Sequence, residues 1–241
     1  MIEMLMRDED GVRGRLRFDA ERLGGLTRCR PAVVAITHHF APERRRVEAM
    51  IRDTYARTYG GDIAITHPML MSLRDADDRI LAGVGFRPAG TAPLFLETYL
   101  DQPIETLIPG THGRAGIVEI GNLAAAEAGA SYLLFIALAA YLHGRGFEKA
   151  VVTATRPLRR LFRHIGFDAV ELGRATADRV GPAAAAWGSY YANDPRVICG
   201  NVAFGADCLD RFLAGDAREV LPAHPTFSRL HPAVMAAEVT A

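Results

Sequence analysis

Residues 116–124 read GIVEIGNLA, and residues 149–155 read KAVVTAT. Both are short and rich in β-branched residues, so both read as strands of a buried sheet. Between them lie a small-residue loop, AAEAGA (125–130), and the strongly apolar helical run from Ser131 to His143, closed by Gly144. A strand, a turn, a helix and a second strand make a right-handed crossover, which predicts that the two strands are parallel neighbours. Glu119 and Asn122 interrupt the first strand. In a regular strand their opposite parity sends them to opposite faces, and a bulge near Gly121 changes that.

Working outward, Pro157–Ile165 reads as a short helix with Pro in its first turn, ended by Gly166-Phe167 and followed by a strand over 168–172. Upstream, Pro31–Ile36 reads as a strand. Pro42-Glu43 then opens an amphipathic helix that carries Val47, Met50, Ile51, Tyr55 and Tyr59 on one side and ends at Gly60-Gly61. Met69–Leu73 and Ile80–Phe86 form a hairpin about the polar turn 74–79. LFLETYL (94–100) fits a short helix or a strand, and Val197–Phe204 fits one more strand. Residues 1–30 are charged, with little periodicity, and read as an N-terminal arm. The pattern predicts an α/β domain over 31–205, a mixed sheet with helices on both faces, and a C-terminal extension over 206–241.

Bulk composition narrows the function. Of 241 residues 49% are hydrophobic and 23% charged, enough for a sizeable core. Lys+Arg and Asp+Glu each number 28, so the chain lacks the basic balance of a dedicated nucleic-acid binder. Three cysteines, Cys29, Cys199 and Cys208, suggest neither a disulfide framework nor a zinc site, and fit the cytoplasm. Met1–Asp10 is acidic without the apolar stretch of a signal peptide. The longest apolar run, Ala130–Leu142, is too short for a membrane span. Eight histidines lack metal-ligand spacing, so no metal is expected.

GIVEIGNLA, the loop, the helix, KAVVTAT and RPLRRLFRHIGF (156–167) together resemble the Gcn5-related N-acetyltransferase (GNAT) superfamily. The resemblance implies a GNAT-like sheet that splays between the two strands to admit a thioester donor. It places donor-binding backbone at Leu123, Ala124, Gly129 and Ser131, where free N–H groups and the helix dipole favour an anion. It implies acyl-CoA or an acyl carrier protein as donor substrate, and no tightly bound cofactor. The sequence departs from the superfamily in two ways. Loop 125–130 has no arginine and carries Glu127, and Phe162 stands where many members have a tyrosine acid. A closer resemblance is to the thermostable hemolysin family, a GNAT-like group similar to acyl-homoserine-lactone synthases. ERRRVEAMIRDTYARTYG (43–60), LFLETYLDQPIE (94–105), IVEIGNLA (117–124), TATRPLRRLFRHIGF (153–167) and WGSYYANDPRVICGN (187–201) carry it. That name implies haemolysis; the fold implies acyl transfer.

The candidate site residues follow. Glu119 reads as a general base for the acceptor, or as half of an ion pair with a core-facing arginine. Asn122 reads as a hydrogen-bond partner for the donor's amides, or as a side chain satisfying a bulge. Glu97 and Tyr99 share one face if LFLETYL is a strand, Glu97 as a second candidate base and Tyr99 as an acceptor contact; in a helix they decorate the surface. Thr153 and Thr155 share a face at a strand end and read as donor contacts, or as strand formers only. Arg156, Arg159, Arg160 and Arg163 form a basic helix face, with Arg159 and Arg163 as the donor's phosphate contacts, or a solvated surface. Trp187, Tyr190 and Tyr191 read as an acyl or acceptor pocket, or as core; Trp187 to Tyr191 spans one helical turn.

The functional expectation is an acyltransferase acting on a small-molecule amine or hydroxyl. A backbone N–H would stabilise the oxyanion, and no covalent enzyme intermediate is expected, because no Ser or Cys has an evident base beside it. The alternatives are a non-catalytic ligand-binding fold, or a membrane-active protein inserting helix 131–142.

Overall fold

The computed structural model describes residues 2–18, 29–108, 110–111, 113–167 and 169–212. They build a nine-stranded sheet in the order β2-β1-β3-β4-β5-β6-β7-β9-β8. The strands are β1 (Ile2–Asp8), β2 (Gly11–Phe18), β3 (Val33–Thr37), β4 (Met69–Arg74), β5 (Ile80–Pro88), β6 (Ile117–Ala125), β7 (Lys149–Ala154), β8 (Val170–Arg174) and β9 (Arg196–Asn201). The helices are α1 (Arg44–Tyr59), α2 (Ile104–Leu107), α3 (Ala130–Gly144), α4 (Arg156–His164), α5 (Ala177–Val180) and α6 (Val202–Phe212). Pairing is antiparallel except for β1 with β3 and β6 with β7. This is the mixed, GNAT-like α/β architecture the motif order implied.

Two local expectations need correction. The N-terminal arm is partly sheet: β1 and β2 form a hairpin, and β1 runs parallel to β3. Met4, Met6 and Leu16 are buried, so a two-residue alternation anchors the hairpin despite its charges. The strand expected over 197–204 stops at Asn201, whose side chain accepts the Phe204 N–H as the chain turns into α6. Residues 19–28 of the arm and 213–241 of the extension lie outside the described residues.

The core has two faces. On one, α3, α4 and α6 cover Met71, Val84, Phe86, Val118 and Ile198. On the other, α1 lays Val47, Ile51 and Tyr55 on Leu70 and Ala124. Helix α3 is apolar nearly all round because it is surrounded by protein: Leu133, Leu134, Ala137 and Leu138 are almost fully buried. The helix suggested for membrane insertion is therefore a core helix. Among the described residues no helix is long and apolar enough to cross a membrane.

The feature that positions the site lies in the middle of the sheet. Strands β6 and β7 pair in parallel from Ile117↔Lys149 to Ile120↔Val152, and no pair follows. At that point β6 departs from regularity. Its register against β5 jumps between Gly83↔Ala124 and Gly85↔Gly121, and Asn122 takes a left-handed conformation, φ 52°. Two residues of β6, Asn122 and Leu123, thus oppose one of β5, a bulge of the kind expected near Gly121. Asn is among the residues that tolerate this backbone. The bulge bends β6 away from β7 and opens a wedge between their C-terminal ends.

Candidate active site

The wedge leads into a pocket of about 280 Å³. Its floor is made by His67, Glu119 and Asn122. Because of the bulge, Glu119 and Asn122 line the same cavity. His67 comes from the irregular stretch between α1 and β4, where two arginines grip the backbone. The buried Arg44 guanidinium donates to the His67 carbonyl at 2.6 Å and the Pro68 carbonyl at 2.9 Å; Arg87 donates to the Thr66 carbonyl at 2.6 Å. The ring lies over the cross-strand pair Gly85↔Gly121. A Cβ on Gly85 would stand 2.8 Å from the ring's Cγ, and one on Gly121 2.4 Å from its Cε1. The two glycines are the space the imidazole occupies.

His67 Nδ1 lies 2.8 Å from Asn122 Oδ1. An amide oxygen only accepts, so Nδ1 carries the proton and Nε2 keeps a lone pair. That Nε2 is buried and makes no hydrogen bond among the described residues. Burial, opposed by the Asn122 bond and assisted by the charges of Arg87 and Arg44, holds the ring's pKa down at about 4. His67 is neutral at pH 7.

Glu119 is 3% exposed. Its charge is met by backbone, not by the core-facing arginine weighed from the sequence. Oε2 accepts the Phe95 N–H at 3.1 Å and Oε1 the Leu96 N–H at 2.9 Å. Both donors open the 3₁₀ turn Phe95–Tyr99, whose N-terminal N–H groups face the carboxylate. Burial raises the Glu119 pKa, against those two bonds. Oε2 stands 3.8 Å from His67 Nε2.

Aromatic rings form the walls. Tyr55 and Tyr59 of α1, Phe95 and Tyr99 of the 3₁₀ turn, and Trp187 and Tyr190 line the cavity with Thr153 and Thr155. Trp187 stacks on Phe95 at 5.6 Å between centroids. Tyr190 donates its hydroxyl to the Thr153 carbonyl at 3.1 Å, close to where β6 has left β7. Burial raises the pKa of Tyr55, Tyr99 and Tyr190, so all three are neutral phenols at physiological pH.

The residues singled out from sequence divide accordingly. Glu119, Asn122, Leu123, Tyr99, Thr153, Thr155, Trp187 and Tyr190 meet at the cavity. Tyr191 stands behind it, its hydroxyl 2.8 Å from that of Tyr99. The segment holding Trp187, Tyr190 and Tyr191 is not a regular helical turn: Gly188, at φ 54° and ψ −129°, kinks a 3₁₀ run over Gly181–Asn193. Asn122 spends its amide oxygen on His67. Ala124 turns into the core under α1, while Gly129, at φ 81°, and Ser131 start α3 as the resemblance placed them. Glu127, in the same loop, faces Arg79 at 3.4 Å.

Glu97 is not at the site. LFLETYL is a 3₁₀ turn, so Glu97 and Tyr99 do not alternate along a strand. Glu97 accepts the Leu94 and Ile104 N–H groups at 2.8 and 3.0 Å and meets Arg114 in two bonds of 2.7 and 2.9 Å. Arg114, then the backbone donors, hold its pKa at about 2 against burial, which makes it a fastener and not a base. Arg159 is also committed: it bonds the Ala154 carbonyl at 3.1 Å and the Asp194 carboxylate at 2.9 Å, tying the end of β7 to the turn before β9. Arg156, Arg160 and Arg163 are exposed. Phe162 is core, packed on Phe135 and Phe167.

Sequence reasoning missed His67. Its signal is three-dimensional, a lone histidine matched by glycines on two paired strands. Among the described residues no three His, Cys, Asp or Glu side chains gather as a metal site.

Solved structures share this fold at low identity. The acyl-homoserine lactone synthase LasI superposes with a TM-score of 0.52 at 12% identity, over 76% of this chain and 94% of that one. The CoA-dependent acyl-homoserine lactone synthase BjaI, with MTA, gives 0.50 at 13%, over 71% and 83%. No curated protein matches the chain. The sequence pattern of one family spans residues 37–206, from the end of β3 into α6, and the chain accordingly belongs to the thermostable hemolysin family.

Proposed function

We propose that this protein is an acyltransferase that moves an acyl group from a thioester donor to an amine or hydroxyl of a small-molecule acceptor. One observation carries the reading: β6 and β7 part after Ile120↔Val152, directly over a buried carboxylate in an aromatic-walled pocket. A thioester arm laid in the wedge would find backbone groups of β6 without β7 partners, and its carbonyl would point at the pocket. Glu119 would accept a hydrogen bond from the acceptor's nucleophilic group and orient it for attack. With an acceptor bound, the aromatic walls would leave little room for water to compete as nucleophile. The fold likeness to acyl-homoserine lactone synthases supports the same class.

The donor's carrier is either CoA or an acyl carrier protein. Loop 125–130 brings Glu127 and no arginine to the start of α3, and Arg159 is occupied, while Arg156, Arg160 and Arg163 of α4 are exposed. That arrangement favours a carrier with an acidic surface. The test is thiol release from octanoyl-CoA and from octanoyl carrier protein, each with a panel of amines and alcohols. Acceptor-dependent release that falls ~10²-fold or more in Glu119→Gln supports the reading. Release unaffected by that substitution, or none with any donor, refutes it.

A further inference from the structure

One buried polar atom at the cavity has no partner among the described residues. His67 lines the pocket, and its Nε2 bears a lone pair that makes no hydrogen bond among the described residues. The atom facing it, Glu119 Oε2, is also an acceptor, 3.8 Å away. Two acceptors opposed in a buried site are unfavourable unless a donor lies between them. An atom carrying two hydrogens, as an amine nitrogen does, satisfies both from ~2.9 Å.

We propose that His67 is a second catalytic residue: the acceptor's nucleophilic atom docks between His67 Nε2 and Glu119 Oε2, and Nε2 takes its proton. The assignment rests on the acyl-transfer reading above. Nε2 is the better placed of the two because both oxygens of Glu119 already accept backbone N–H groups, whereas the Nε2 lone pair is free. Glu119 then stabilises the imidazolium by its charge, as a carboxylate does for a catalytic histidine. In the step itself, the nucleophile forms its bond to the thioester carbonyl carbon as its proton passes to Nε2. The C–S bond breaks, and the departing thiolate takes that proton back from the imidazolium. Acceptor and thioester become amide or ester and thiol, and His67 ends neutral.

Asn122 is the positioning residue. Its Oδ1 fixes the proton on Nδ1, and the left-handed bulge holds it there. The charged groups around the ring are Glu119 on β6, Arg87 on β5 and Arg44 on α1; the tyrosines of the walls are neutral. Resting His67 therefore stays neutral through the physiological range.

The probe reaction is thiol release from S-octanoyl-N-acetylcysteamine with hydroxylamine as acceptor. His67→Ala should lower kcat ~10²- to 10⁴-fold with KM little changed, and added imidazole, filling the vacated space, should restore at least a tenth of the loss. Asn122→Asp, which tolerates the same backbone, places a carboxylate on Nδ1–H and should move the acid limb of the kcat profile up by about one to three pH units. A folded His67→Ala enzyme with wild-type turnover, failure of imidazole to rescue it, or an acid limb unmoved in Asn122→Asp overturns the assignment. Nitrogen-15 NMR of histidine-labelled wild-type protein decides the dock without turnover. A bare Nε2 whose resonance shifts on adding hydroxylamine supports it, and a protonated or unresponsive Nε2 overturns it. No thiol release by the wild type would instead sink the acyl-transfer reading.

Discussion

Replacing Gly121 by alanine tests the site's geometry with one methyl group. The backbone there is not left-handed, so alanine adds no conformational strain. Its Cβ would lie 2.4 Å from Cε1 and 2.8 Å from Nε2 of His67. Ordinary contact requires a retreat of about 1 Å. The ring cannot retreat and keep its 2.8 Å bond to Asn122, and Gly85 presses on it from the next strand. Overpacking costs ~1–3 kcal/mol, and the strained hydrogen bond adds ~1 kcal/mol. For a chain of this length the sum lowers Tm by roughly 4–16 °C. Turnover should suffer more than stability, since a 1 Å displacement of a reacting group costs ~10²-fold. Urea unfolding of Gly121→Ala, His67→Ala and the double variant isolates the contact. In the His67→Ala background the added methyl fills vacated space, so its cost should vanish or change sign. An equal cost in both backgrounds would refute the steric account of the glycine pair.

Glu97→Gln should destabilise by ~2 kcal/mol at pH 7, because Arg114 and two backbone donors hold the Glu97 carboxyl at about 2, discounted for the pair's partial exposure. A depressed carboxylate contributes fully above about 4.5 and fades as pH falls toward 2, so urea midpoints of wild type and variant should converge there. His67 acts over a higher window: the unfolded histidine protonates near 6.5 and the buried one at about 4, so wild-type stability should fall by ~3 kcal/mol between those values, a slope that His67→Gln flattens. Arg159→Ala should cost ~1–3 kcal/mol in unfolding assays by freeing the turn at Asp194, whereas Arg160→Glu with Arg163→Glu should leave Tm within 2 °C and cut turnover of a carrier-bound donor in a salt-dependent way. Purified protein should release no dye from lipid vesicles at micromolar levels, because the apolar faces of α3 are already covered; dose-dependent release would overturn that.

What could be read from the sequence depended on how local the signal was. The crossover from β6 through α3 to β7 was legible because strand and helix periodicities alternate with clean breaks. Glu119 was legible because a carboxylate on a buried strand demands an explanation, and a bulge near Gly121 was legible as a possibility. The Phe95–Tyr99 turn was not, since its pattern suits strand and helix alike and the outcome depends on Arg114, seventeen positions from Glu97. The N-terminal hairpin carried an overlooked cue, Asp10-Gly11 between Met4–Met6 and Leu16. His67 offered nothing locally. Its partners Asn122 and Glu119 lie more than fifty residues on, and only the register Gly85↔Gly121 makes room for it.

The sheet has a seam. Six strands, β1 to β6, stand on one side and three, β7, β9 and β8, on the other, joined along their backbones by four residue pairs. Elsewhere the two sections are held by what crosses over them: α3 and α6 on one face, and on the other the 181–193 segment, where Gly188 lies so close to Tyr59 and Gly60 that a methyl group would collide with the Tyr59 carbonyl. The four pairs act as the spine of a half-open book, and the crossings set how far it opens. An amide-bearing arm entering the wedge would extend the pairing from the spine outward and bind the two leaves together. Occupancy would then be a mechanical state of the whole sheet, registered by slower amide exchange as far away as the outer strands and not only beside the ligand.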